Sequence, residues 1–75
     1  MTELVFLKSA VERAADRLAY MKREQGAFAA RCDRTNPIAL RTLRKLEEDV
    51  TRAANDLHWA EGALRELRDA LPVLP

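Results

Sequence analysis

The sequence predicts an all-α fold: a two-helix antiparallel coiled-coil hairpin, completed into a helical bundle by self-association or by a partner. Three observations predict it. Apolar residues recur at alternating spacings of three and four in both halves of the chain, which is the heptad seam of a helix that packs against another helix. One short break, "DRTN" at 33–36, separates the halves; it has no periodicity and is rich in turn formers. Finally, a fold-back at 35/36 sets seam residues opposite each other in pairs whose numbers add to 71.

The first seam runs Leu4, Leu7, Val11, Ala14, Leu18, Met21, Gln25, Phe28 and Cys32. Taking Leu4 as an a position, it predicts a helix over 3–33. Gln25 is the polar interruption and reads as a register-setting residue. Gly26 weakens this helix by roughly 1 kcal/mol and marks either a kink or a close helix approach. The turn is expected at 34–36. Asn36 is a good N-cap, and Pro37 falls at the first helical position, where its missing N–H costs nothing. The second helix is expected over 37–71, with Ala39, Leu43, Leu46, Val50, Ala53, Leu57, Ala60, Leu64, Leu67 and Leu71 on its seam. Pro72 disfavours helix at the residue before it and leaves 72–75 as a short tail. At 1.5 Å per residue each helix is about 45–50 Å long, and residues 1–75 make a single domain.

The pairing is internally consistent. Leu4/Leu67, Leu7/Leu64, Val11/Ala60, Ala14/Leu57, Leu18/Ala53, Met21/Val50, Gln25/Leu46, Phe28/Leu43 and Cys32/Ala39 each join an a position to a d. Several set a large side chain against alanine, which lets the helices close without voids. On the flanks, Lys8/Glu61, Lys22/Glu47 and Arg17/Asp56 are opposite in charge and only Glu24/Asp49 is repulsive. Surface pairs are worth about 0–1 kcal/mol each, so they select register more than they stabilise.

Composition narrows the function classes. The chain has 75 residues, of which 48% are hydrophobic and 33% charged, with two Gly and three Pro. A formal net charge of +1 creates no global field that would draw the protein to nucleic acid. No apolar run is long enough for a membrane span or a signal-peptide core, so the expectation is a soluble, cytoplasmic protein. Cys32 is the lone cysteine; it has no disulfide or metal companion and reads as a small hydrophobe of the seam. His58 and Glu61 stand three apart, but in the reverse order of the Glu-x-x-His pattern of helical di-metal sites. No phosphate-cradling glycine loop or paired core carboxylates occur. The chain therefore reads as non-enzymatic, with no cofactor and no metal.

The remaining apolar residues lie off the seam. Phe6, Ala10, Tyr20, Trp59 and Ala63 fall on the c/g side, with Ile38 near the turn, and Val5, Ala15, Ala19, Ala29, Leu40 and Ala54 fall on the e/b side. Apolar patches of this kind mark interfaces. Phe6, Ala10, Tyr20, Ile38, Leu40, Trp59 and Ala63 are thus the candidate contacts for a protein partner, a second copy of the chain, or both. Arg31, Arg34, Arg41, Arg44 and Lys45 crowd the turn end, opposed there only by Asp33. They read as a solvated tip, as the basic end of a head-to-tail antiparallel pair of hairpins, set against the acidic open end, or as the phosphate contacts of a small dimeric nucleic-acid-binding regulator, the alternative function, although no aromatic residue interleaves with them to stack on bases.

The stretch "NPIALRTLRKLEEDVTRAANDL" resembles the turn and second helix of the small helical-hairpin co-chaperones of type III secretion needle subunits. The similar features are Pro37 opening the helix, Leu46 with Glu47 and Glu48, Val50, Ala53 with Ala54, and Asn55. The resemblance implies a cytoplasmic adaptor that joins a helical-repeat chaperone to keep an aggregation-prone subunit monomeric.

Overall fold

The computed structural model describes residues 2–71. Two helices account for nearly all of them: α1, Thr2–Arg31, and α2, Pro37–Ala70. Laid end to end, their 30 and 34 residues would span about 96 Å. The molecule instead measures 63 × 16 × 14 Å, because α2 folds back and packs along α1. The expected hairpin is the observed fold.

The bend has a defined chemistry. The last helix-type bond of α1 runs from the Cys32 N–H to the Phe28 carbonyl at 2.8 Å. The Asp33 carboxylate then accepts from both the backbone N–H of Thr35 at 2.9 Å and its hydroxyl at 2.6 Å. This side-chain turn competes with continued helix, so α1 stops at Arg31 and not at the expected 33. Asn36, with extended backbone, accepts from the Ile38 N–H at 2.9 Å, and Pro37 opens α2 as expected.

Burial follows the seam. Every expected seam residue from Leu4 to Leu67 is buried or partly buried. Of these only Leu43, Ala53, Ala60 and Leu64 are buried, and all four belong to α2. Ala53 and Ala60 are the alanines assigned opposite Leu18 and Val11. A small side chain under a large one loses its water first, which is why Ala53 retains only 2% of its exposure. The register shows again where Val11 of α1 lines one shallow depression with Glu61 and Leu64 of α2. Gln25 is partly buried within the seam, and no buried side-chain polar atom among the described residues lacks a partner. The flanking alanines Ala10, Ala15, Ala29, Ala54 and Ala63 are partly buried beside the seam.

Two expectations need correction. Leu71 is not a seam residue: it caps α2 in extended conformation and stays 37% exposed. Gly26 sits in an uninterrupted α1, and a Cβ built there meets nothing within 4 Å; no close approach to the second helix requires it. The tail at 72–75 lies outside the described residues.

One helix against one helix covers a single stripe of each. A folded monomer of 8.5 kDa is expected to expose about 4,700 Å², whereas this chain exposes 6084 Å². Its radius of gyration is 17.4 Å, against about 11 Å for a compact domain of this length. The hairpin is a rod with roughly 1,400 Å² of surplus surface.

Candidate interaction surface

Heptad geometry decides which side chains reach the outside. Positions a and d point at the partner helix, e and g flank them, and b, c and f look away. Phe6, Tyr20, Ile38 and Trp59 all occupy c positions, and the structure leaves all four exposed, Phe6 at 63% and Trp59 at 75%. Ala10 and Ala63 are g residues, one turn along from Phe6 and Trp59 respectively, and both are partly buried. The expected register sets Ala10 opposite Ala63 across the hairpin.

Beside the indole is a shallow depression lined by His58, Trp59, Gly62, Ala63 and Glu66. It exists because Gly62, three residues after Trp59, puts no side chain on that flank, and a Cβ there would meet nothing within 4 Å. Sequence reasoning overlooked Gly62, Glu66 and His58 as part of this surface. The available signal was the glycine at i+3 from an outward-facing tryptophan, since residues three apart are neighbours on a helix.

The seven candidate contacts do not form one patch. Phe6, Ala10, Trp59 and Ala63 group at the open end of the rod. Tyr20 lies about 20 Å along the same face, and Ile38 about 40 Å along it, by helical rise. Leu40, an e residue, is on the opposite flank, exposed beside partly buried Ala29. Val5 is as exposed as Phe6 but occupies a b position on that other flank.

At the tip, Arg31, Arg34, Arg41, Arg44 and Lys45 are all exposed. With Asp33 they give the stretch 25–46 a net charge of +4, leaving −3 on the remainder of the chain. The Thr35 hydroxyl, and after it the Thr35 N–H, hold the Asp33 carboxyl below the usual carboxylate range. A further depression, lined by Arg44, Glu47, Glu48, Thr51, Arg52 and Asn55, draws every wall from one exposed helix face and encloses nothing. Among the described residues no three His, Cys, Asp or Glu side chains cluster to hold a metal ion. Neither helix is long and apolar enough to cross a membrane.

Comparison with protein-family models, with curated proteins and with solved structures finds no match to this chain.

Proposed function

We propose that this protein is a non-enzymatic protein–protein interaction module, working as an adaptor, chaperone-like or regulatory subunit through the outer faces of its hairpin. The observation that carries this reading is the pair Phe6 and Trp59, two large aromatic side chains left exposed, each one helical turn from a partly buried alanine. Aromatic anchors beside small residues are what binding hot spots are made of. Burying each ring would contribute about 1.5–3 kcal/mol to a complex. The cytoplasmic setting and the adaptor role are those that the resemblance to secretion co-chaperones implies.

The test is association measured with and without these anchors. Trp59→Ala and Phe6→Asp are expected to weaken binding, to another chain or to itself, while circular dichroism shows helicity retained. A monomer that captures nothing from its native host, with Trp59 fluorescence that stays fully solvent-quenchable throughout, overturns the reading.

One observation favours a second reading. The exposed +4 tip suits phosphate contacts, which make binding strongly salt-dependent. A nucleic-acid regulator predicts retention on DNA or RNA at low salt that falls when Arg31, Arg34, Arg41 and Arg44 are neutralised. No retention at low salt removes it.

A further inference from the structure

Three quantities on this molecule bear on what covers its outer face: how much surface is surplus, how long the face is, and how charge is laid along it. The surplus of roughly 1,400 Å² exceeds the ~800 Å² that each partner contributes to a standard interface and fits a homodimer. The face itself, 63 Å long and 16 Å wide, offers a footprint of about 1,000 Å². Overlap over half its length would cover about 500 Å², too little for a stable pair. Full-length overlap is therefore required. Charge then decides direction. Of the five tip cations, Arg31 at g and Lys45 at c lie on this face; a parallel pair would set them beside their own copies, whereas an antiparallel pair carries them to the open end of the other copy, which has Glu3 and Glu66 on the same face. The face is decided by its side chains: four large exposed apolar residues on the c/g side, Phe6, Tyr20, Ile38 and Trp59, against Val5 and Leu40 on the other.

We propose that a second copy of this chain covers the Phe6–Tyr20–Trp59 face antiparallel and at full length, forming a four-helix homodimer with each basic tip against the open end of its partner. The inference rests on the reading of this face as an interaction surface. A two-fold axis crossing the rod at the level of Leu18 and Ala53 lays α1 on α1 and α2 on α2. Arg13 then meets the partner's Glu24, and Arg31 meets the partner's Glu3. Arg52 meets the partner's Asp56. Arg17 lies by the axis near the partner's Tyr20 and the partner's Arg17. The one acidic clash, Asp49 with the partner's Asp56, has Arg52 one turn away on the same helix. All neighbouring helices run antiparallel, so their macrodipoles oppose.

Light scattering is expected to return twice the 8.5 kDa chain mass, and Trp59→Asp or Phe6→Asp to return the monomer with helicity retained. Small-angle scattering of the unaltered protein should give a longest dimension near the 63 Å of one hairpin, since an end-overlapped pair would approach about 100 Å. Spin labels in a Cys32→Ala background fix direction. Labels at Arg17→Cys should lie within about 20 Å of each other across the dimer, and labels at Arg31→Cys about 40 Å apart. A monomeric wild type overturns the proposal, as does a dimer indifferent to Phe6 and Trp59 or one whose Arg31→Cys labels are close. If the wild type is monomeric yet captures another protein through Trp59, the homodimer fails and the interaction-module reading stands. If it is monomeric and captures nothing, both fail.

Discussion

The Asp33 carboxylate takes both of its hydrogen bonds from Thr35, one from the backbone and one from the hydroxyl. Those bonds favour the ionised form and lower its pKa. A depressed folded-state value means that the turn gains stability above the unfolded aspartate value of about 3.9 and loses it as pH falls through the lower folded value. Asp33→Asn keeps an acceptor but has no proton to bind. The stability difference between wild type and this variant should therefore hold at neutral pH and shrink below about pH 4; a difference independent of pH would show the carboxylate charge to be irrelevant. Gly26 supports a prediction of opposite sign. It sits in mid-helix with open space where a Cβ would be, so Gly26→Ala should stabilise the chain by about 1 kcal/mol. Thermal melting is the check, and a loss of stability would mean that α1 needs its glycine after all. Sequence alone left Gly26 open between kink and close approach. Both depend on the distance to the second helix, which no residue pattern encodes.

At the scale of elements, the two ends of the bend differ in legibility for a physical reason. Asn36–Pro37 has few alternatives: a capping oxygen followed by a ring that fits only the first helical turn, and α2 begins there. The end of α1 is a competition between helix and an Asp33 turn whose outcome is decided by two hydrogen bonds, and it came two residues earlier than the seam suggested. Leu71 fits the heptad by number, yet its backbone has already left the helix. Replacing Asn36 with Ala should cost about 1 kcal/mol, read by denaturant unfolding. The seam was legible from Leu4 to Leu67 because the short turn and the flanking charges leave its period one register. What the period does not encode is the asymmetry of burial, with every buried residue among those described on α2. Leu64→Ala should consequently cost about 2–4 kcal/mol, and Leu4→Ala, near the end of the partly exposed helix, distinctly less. Equal costs would contradict the burial pattern.

For the whole molecule the governing fact is that a rod exposing 6084 Å² covers one stripe of each helix, with one free cysteine and, among the described residues, no cluster of three metal-ligating side chains, in a size range where chains commonly gain stability by association. The candidate surface was legible as a set of outward positions, since c residues must face away from a two-helix seam. Its division into an open-end cluster, Tyr20 and a distant Ile38 follows from the expected register and the helical rise, and so lay within reach of the sequence as well. Whatever covers the face was not legible: periodicity specifies the partner inside the hairpin and is silent about one outside it. If a second copy supplies the missing burial, unfolding a dimer releases two chains, and each tenfold rise in concentration stabilises it by about 1.4 kcal/mol. For the 150 residues of such a pair that raises the melting temperature by about 4 °C. Trp59 emission should shift to the blue over the same concentration range as its ring leaves water. Trp59→Asp should melt lower, and at a temperature that no longer depends on concentration. A wild-type melting temperature that does not move with dilution would show the hairpin stable by itself, leaving Phe6 and Trp59 free for a different protein.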